Sequence, residues 1–438
     1  MLWSGLRPRK IGIRRQPWEE FLTSTPTRNA SRNSCNTALF SALLAVSIGA
    51  LGTGAAAQIA VSANDGKMRL DNGTVSIVKD GAETVTLIDL SANPPKAIAE
   101  IKAPTSIVGP PSSVAVSPNE EIALVTAAQK IDPADPTKQV PNDVVTVIDL
   151  GKSGGVVGNL AARVRGKEPP AAFAPKVIAT LKAGAGASGV SINKAGTLAL
   201  VANRNAGTVS VFEIKGKTVT PVGEPVKVGD EKSGPSAVAF TPDGKTALVT
   251  RDGDSKISVL AITGSKVENT NRDMSAGLKP YGLDISSKGD VAIVANIGVG
   301  SGDADTVSVI DLAAKPPRVV NTVTVGQTPE GIKLSPDGNY LAVSVMNGTN
   351  KPSNSPFYND KGKLVILRRT GRELARVAEA DIGKWCQGIV WSSNSRKLAV
   401  QCIVDEQILA FSWTPSKLTS IGTIKTTGGP AGFRTSEK

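Results

Sequence analysis

The chain has 438 residues and no histidine, and its 50 basic and 38 acidic residues give a net charge of +12. Without histidine, neither a Ser-His-Asp triad nor a Cys-His pair can form, and the commonest ligand of zinc, copper and non-haem iron is missing. The basic residues are spread along the chain and are not interleaved with aromatic residues, so we expect no nucleic-acid partner.

The first 57 residues have the pattern of an export signal. Residues 38–54 form an uncharged apolar run with a long basic flank before it, and the alanines at 55–57 provide a small-residue cleavage site. We therefore expect a secretory leader over residues 1–57, a mature start at Gln58 and a periplasmic or secreted location. The alternative is a retained membrane anchor, so contact with a membrane is expected only through an uncleaved leader. The run is short and rich in glycine and alanine for a membrane span.

Beyond Gln58, one short strand pattern recurs seven times. Each copy is apolar at alternate positions and rich in β-branched residues, as a half-buried strand requires. The copies begin at Val85, Val145, Val209, Ile257, Val307, Leu364 and Ile408.

A second motif contains a short apolar strand, a polar turn and another apolar strand. Its turns, such as Pro-Asp-Gly at 242–244 and 336–338, carry the residues that reverse a chain between antiparallel strands. Complete versions begin at Pro110, Ala187, Pro235, Pro280, Pro329 and Cys386. A seventh version begins at Gly429 and stops, and the segment IAVSAND from Ile59 reads as its missing continuation.

These repeats predict an all-β fold for residues 58–438, namely a single seven-bladed β-propeller with four-stranded antiparallel blades. The spacing of about 54 residues per repeat suits such a blade. The cut repeat indicates that the C-terminal strand pairs with the N-terminal strands. This pairing would close the ring and leave no open sheet edge.

The segments LVANRNAGTVSVFEI (200–214) and IVANIGVGSGDADTVSVIDL (293–312) resemble the YVTN family of β-propeller repeats. Those repeats carry a V-A-N strand, a variable loop and a T-V-S-V-I-D strand. The resemblance extends over residues 59–438 and implies a relation to the seven-bladed, lactonase-like propellers. It implies a fold rather than an activity, because members of the family include surface-layer proteins and periplasmic binding proteins.

In propellers the inner strand of each blade lines the central channel, and the first residues of these strands form the usual binding surface. Aligned inner strands give one column of residues at this channel mouth: Ser112, Ser188, Ser236, Tyr281, Glu330, Gln387 and Ala431. Lys279 and Trp385 lie beside the column, and Asn203, Arg251 and Asn296, with Arg204, form a second one. The candidate ligand-binding residues are Tyr281, Glu330, Gln387, Lys279, Arg251 and Arg204. The alternative is an ordinary polar rim, in which the asparagines satisfy loop backbone.

Two functions remain open. The first is a monomeric binding or interaction module without turnover, which takes an unknown small molecule or protein at the channel mouth or on the loops at 130–142, 151–174 and 347–361. The second is a lactonase-like hydrolase or isomerase in which Glu330, Tyr281 and Arg251 are catalytic. The missing histidine and the small residues in the column favour the first function. We expect no cofactor and no metal, although acidic loops such as 303–305 offer oxygen atoms to calcium without the spacing of an EF-hand.

Cys386 and Cys402 flank the turn at 393–395 almost symmetrically. They are expected to face each other across a hairpin, where a disulfide would close a loop of about 16 residues and contribute about 3 kcal/mol in the chain-entropy model. Two buried free thiols are the alternative.

Overall fold

A computed structural model describes residues 58–152, 173–415 and 417–437. These residues form a seven-bladed β-propeller without a helix, so the predicted fold class is confirmed. In this part of the chain no helix has the length and apolar character to cross a membrane. The predicted leader and most of the loop at 151–174 lie outside the described residues.

Each blade is an antiparallel sheet whose strands are called inner, second, third and outer. Blade 1 has the inner strand β32 (Gly429–Thr435) followed by β1 (Ile59–Asp65), β4 (Glu83–Asp89) and β5 (Lys96–Lys102). A separate hairpin consists of β2 (Met68–Asp71) and β3 (Thr74–Ile77). Blade 2 consists of β6 (Val114–Val116), β7 (Ile122–Ile131), β8 (Gln139–Asp149) and β9 (Lys176–Lys182). Blade 3 consists of β10 (Ala187–Ile192), β11 (Leu198–Asn203), β12 (Thr208–Lys215) and β13 (Thr218–Pro221), with the short β14 (Val226–Lys227) also paired to β12.

The remaining blades repeat this order. Blade 4 consists of β15 (Pro235–Phe240), β16 (Thr246–Arg251), β17 (Lys256–Thr263) and β18 (Lys266–Asn269), with the short β19 (Met274–Ser275) paired to β17. Blade 5 consists of β20 (Pro280–Ile285), β21 (Val291–Asn296), β22 (Asp305–Asp311) and β23 (Arg318–Gly326). Blade 6 consists of β24 (Pro329–Leu334), β25 (Tyr340–Val345), β26 (Gly362–Thr370) and β27 (Glu373–Ile382). Blade 7 consists of β28 (Cys386–Trp391), β29 (Lys397–Cys402), β30 (Gln407–Thr414) and β31 (Lys417–Lys425).

Position in the blade sets the burial of each strand. The second strands are buried along most of their length, and β11 and β21 at every residue, because neighbouring blades cover both of their faces. The outer strands, such as β23, alternate between exposed and partly buried residues. The hydrophobic core therefore lies between adjacent blades, and the recurrent strand pattern of the sequence corresponds to the third strands.

Closure of the ring depends on the pairing of β32 with β1. The two strands are antiparallel, with Ala60 opposite Thr435 and Asp65 opposite Gly429. The Phe433 side chain is fully buried in an apolar cluster that includes Ala60 of the same blade and Ile408 of blade 7. The predicted closure is confirmed, and the segment from Ile59 is the second strand of the divided blade.

Two local features add to this picture. Six of the thirteen residues predicted as a loop at 130–142 extend β7 and β8, where Lys130 pairs with Val140, so the loop is shorter than predicted and spans residues 132–138. Cys386 and Cys402 lie directly opposite each other on β28 and β29, and the structure joins them by a disulfide. Both cysteines are fully buried.

Candidate functional site at the channel mouth

The predicted column occupies one structural position. Tyr281, Glu330 and Gln387 are each the second residue of an inner strand, in the consecutive blades 5, 6 and 7. The inner strands of neighbouring blades contact each other around the ring, so these three side chains share one side of the mouth. Tyr281 and Glu330 are close enough to interact electrostatically.

The backbone at the mouth is held by the preceding blade. A Cβ atom added to Gly331 would lie 1.6 Å from the carbonyl oxygen of Gln387, and one added to Gly282 would lie 2.3 Å from that of Glu330. Only glycine permits this approach. Hydroxyl groups on the second strand of the preceding blade also bind carbonyl oxygens at the mouth, because Ser344 Oγ donates to Gln387 O at 2.9 Å and Thr250 Oγ1 donates to Tyr281 O at 2.7 Å.

The residues just before these strands have unusual backbone conformations. Lys279, Thr328 and Trp385 have φ angles of 54°, 53° and 48°, whereas blades 3 and 4 have Gly186 and Gly234 at the corresponding place. A non-glycine residue in this region costs on the order of 1–2 kcal/mol. Such strain is concentrated at functional sites. Three strained residues in consecutive blades therefore mark this side of the mouth, and Lys279 and Trp385 are half-buried there.

Glu330 is the main titratable group of the site. It is 8% exposed, and burial raises its pKa to about 7, against the hydrogen bonds from Gln387 and Trp385 that favour the charged form. Trp385 Nε1 donates to Glu330 Oε2 at 3.3 Å. Gln387 is 1% exposed, and its Oε1 has no hydrogen-bond partner among the described residues. A buried acceptor without a donor is costly, so this position can take a donor from a ligand.

An ion pair between blades 3 and 4 completes the cluster. Arg204 Nη2 donates to Asp252 Oδ2 at 2.7 Å, and Arg204 Nη1 contacts Asp252 Oδ1 and donates to Ser236 Oγ at 2.6 Å. Burial, followed by the charge of Glu330, raises the pKa of Tyr281, so its phenol stays neutral at physiological pH. Asp252 also raises the pKa of Glu330. Sequence reasoning missed Asp252 as a mouth residue, because its contact with Arg204 joins two different blades.

Arg251 makes its contacts within its own blade, and its predicted role in binding or catalysis stays a prediction. Its side chain is 6% exposed, and its guanidinium donates to Ser258 Oγ at 2.9 Å and to Asp273 Oδ2 at 3.0 Å. It also pairs with Asp254. These contacts commit Arg251 to the interior of blade 4 rather than to Glu330.

The remaining members of the second column have the same local role as Arg251. Asn203 Nδ2 donates to Thr208 and Ser210 at 2.9 Å each, and Asn296 Nδ2 donates to Thr306 and Ser308 at 2.9 Å each. Their Oδ1 atoms accept the backbone N–H groups of Gly184 and Gly277 at 3.1 and 3.0 Å, which is the loop-backbone role that the alternative interpretation expects. Of that column, only Arg204 reaches the mouth cluster.

No protein-family model matches the chain, and no curated protein matches it. Among solved structures, it is similar to a “putative 6-phosphogluconolactonase” from Bacteroides uniformis, with a TM-score of 0.60 and 15% identity over 86% of this chain and 99% of that one. It is also similar to the periplasmic gluconolactonase of Pseudomonas aeruginosa, with a TM-score of 0.57 and 16% identity over 86% and 99% of the two chains.

A third similar structure is a “putative 6-phosphogluconolactonase” from Bacteroides fragilis, with a TM-score of 0.59 and 17% identity over 87% and 99% of the two chains. At these identities the likeness shows the fold alone. The chain is a seven-bladed propeller whose structural neighbours are of the lactonase-like kind. Its finer assignment to the YVTN repeats stays a prediction.

Proposed function

We propose that this chain is an exported, monomeric, YVTN-type propeller that binds a small hydroxyl-bearing molecule at its channel mouth without turnover. The observation that carries the proposal is the unused hydrogen-bonding capacity of Gln387 beside the buried carboxyl group of Glu330. Export is supported by the apolar run at 38–54 and by the disulfide, since disulfides persist in oxidising compartments.

The class of ligand follows from the groups at the mouth. The neutral phenol of Tyr281 can donate or accept, Gln387 Oε1 accepts, and Glu330 donates when protonated and accepts when ionised. Trp385 adds an aromatic side chain with an apolar body. Aromatic side chains together with several hydrogen-bonding groups suit a sugar acid or a lactone. The names of three structural neighbours, which refer to gluconolactonases, point to the same class.

The electrostatics of the mouth favour binding over hydrolysis. Hydrolysis of a lactone needs a base for water and a positive or hydrogen-bonding group for the developing oxyanion. Arg204 is one cation of the mouth, and its bidentate pairing with Asp252 offsets its charge. Arg251 pairs with Asp254 and Asp273. Both arginines are thus engaged within the protein, which favours binding over hydrolysis, and Lys279 is the other cation on this side of the mouth.

One observation favours a lactonase-like hydrolase or isomerase as the second candidate. A general base is most effective when its pKa lies near the working pH, and the pKa of Glu330 is about 7. In such an enzyme Glu330 would act as the base and Tyr281 as a hydrogen-bond donor. Activity would then rise with pH through about 7 and would be lost in Glu330→Gln.

Calorimetric titration with gluconate and with glucono-1,5-lactone distinguishes the two, when lactone consumption is followed in parallel. We expect binding by the unmodified protein, at least about tenfold weaker binding by Glu330→Ala with Gln387→Ala, and lactone loss at the uncatalysed rate. The control is Glu268→Gln, because Glu268 is 60% exposed on the outer strand of blade 4. Lactone loss that depends on Glu330 would establish the enzyme instead. Absence of binding by every compound would overturn both candidates.

A further inference from the structure

A cavity of about 340 Å³ lies at the opposite end of the channel from the mouth cluster. It is formed where the inner strands end and turn into the second strands, together with the residues that follow β32. Its wall includes Phe240, Leu334 and Trp391, and its polar side includes Asp284, Lys333 and Glu437. This volume is at the small end of the range of about 300–1,000 Å³ for ligand pockets.

One wall of this cavity is apolar and firmly packed. Phe240, Leu334 and Trp391 are 8%, 4% and 2% exposed. Trp391 Nε1 donates to the carbonyl oxygen of Lys333 at 3.0 Å, which satisfies the polar atom of the indole within the protein. This wall therefore offers aromatic and aliphatic surface to a ligand.

The opposite wall carries a buried ammonium group. The Lys333 side chain is 12% exposed, and its Nζ lies 2.8 Å from Asp284 Oδ1 and 2.7 Å from Glu437 Oε1. Asp284 is fixed, because its side chain is 6% exposed and its Oδ2 also accepts the N–H of Leu334 at 2.7 Å. Glu437 differs from Asp284, since its side chain is 58% exposed. Lys333 thus has a buried partner, Asp284, and an exposed partner, Glu437, which solvent can replace.

The charge balance defines what can replace Glu437. Arg434 lies close enough to interact electrostatically with both Asp284 and Glu437. With Glu437 in place, two cations face two carboxylates. Without it, one positive charge is left in excess beside an apolar wall, and the exposed Lys194 on the rim adds another. A single negative charge restores the balance of the buried groups.

We propose that this cavity binds a small monocarboxylic acid with an apolar body. The carboxylate of the ligand takes the position of Glu437 on Lys333, and the body of the ligand contacts Phe240 and Trp391. Glu437 is then an internal competitor, which fills the carboxylate position when no ligand is bound. This site is separate from the mouth cluster and does not depend on its function.

The test uses 3-phenylpropanoate as the probe and 3-phenylpropanamide as its uncharged counterpart, both titrated by calorimetry. We expect Glu437→Gln to bind the acid about threefold to tenfold more tightly than the unmodified protein, because an exposed competing ion pair is lost. The matched control is Glu268→Gln, since Glu268 is similarly exposed and also pairs with a lysine at 2.7 Å. The control should leave the affinity unchanged. The amide should bind at least about tenfold more weakly than the acid.

A second variant tests the role of Lys333 without leaving a buried charge unpaired. Lys333→Met combined with Asp284→Asn removes both members of the buried pair and should abolish binding of the acid. Glu330→Gln should leave the affinity unchanged, which separates this site from the mouth. The proposal is overturned if the acid does not bind, if the acid and the amide bind equally, or if Glu437→Gln has no effect on affinity. Should the double variant fail to fold, Glu437→Gln and the amide decide the outcome.

Discussion

At Glu330, burial and hydrogen bonding have opposing effects on the charge of the carboxyl group. Its carboxyl group is buried, which disfavours the charged form, yet Trp385 Nε1 and the Gln387 side chain donate hydrogen bonds that favour it. The result is a pKa of about 7, so near neutral pH the group exchanges a proton readily. Either charge state therefore remains accessible to a bound molecule.

This pKa predicts a dependence of stability on pH. The folded protein retains a proton on Glu330 that the unfolded chain, with a pKa near 4.5, has lost. The folded state is therefore unaffected below about pH 4.5 and is progressively destabilised up to about pH 7. In Glu330→Gln this penalty is absent. The free energy of unfolding of the variant minus that of the unmodified protein should therefore be about 3 kcal/mol larger at pH 8 than at pH 4.

Denaturant unfolding at several pH values measures this difference. Glu268→Gln is the control, because its exposed side chain should give the same pH profile as the unmodified protein. A profile for Glu330→Gln that parallels that of the unmodified protein would contradict the raised pKa.

At the residue scale, the sequence predicts positions better than it predicts side-chain directions. Tyr281, Glu330 and Gln387 were found because the inner strands repeat and can be aligned. The alignment also places Arg251 at the same strand end as Asn203, and there its side chain turns back to the next strand. Its bond to Ser258 is the counterpart of the bond from Asn203 to Ser210. Aligned repeats show which strand position a residue occupies, but only the packing of the folded chain shows which residue its side chain contacts.

At the scale of single elements, the hairpin of β28 and β29 has a covalent link. Its inner and second strands already pair, with Cys386 opposite Cys402 in the register. The disulfide closes a loop over a sequence separation of 16 residues. Crosslinking of this kind acts mainly by restricting the unfolded chain.

We therefore expect Cys386→Ala with Cys402→Ala to lower the free energy of unfolding by about 3 kcal/mol. Guanidinium unfolding of the two proteins, with and without a reductant, measures the effect. The reductant should destabilise the unmodified protein and leave the double variant unchanged. Equal midpoints for both proteins without reductant would show that the bond contributes little to stability.

The strands themselves were predictable because their apolar alternation is regular. The hairpin of β7 and β8 was harder to predict, since its far end is polar and contains proline, which is typical of a loop. Lys130 and Val140 nevertheless pair there, because a ladder can extend beyond the core when backbone groups satisfy each other.

For the whole molecule, closure of the ring depends on the packing of β32 against its neighbours. Phe433 on β32 is fully buried, and Phe433→Ala should cost about 3 to 5 kcal/mol in the free energy of unfolding. Phe357→Ala is the matched control, because Phe357 is 40% exposed and its loss should change stability by less than about 1 kcal/mol. Denaturant unfolding compares the two. Equal losses would mean that this packing is no more sensitive than the surface.

The sequence also predicts the closure of the ring, because the two parts of one divided repeat lie at opposite ends of the propeller sequence. It does not predict the cavity at the far end of the channel. That cavity is built from the repeated turns of several blades and from residues after β32, and the repetition does not show which side chains face one another there. Lys333 and Glu437 are 104 residues apart in sequence, so their pairing is visible only in three dimensions.

The inner strands connect the two ends of the channel directly. β24 carries Glu330 at the mouth and Lys333 at the cavity, and β20 carries Tyr281 and Asp284 in the same arrangement. Three residues of strand span about 10 Å, so each pair is joined by a single short piece of backbone. The mouth cluster and the cavity thus stand on the same two strands, and each strand presents a different side chain at each end of the channel.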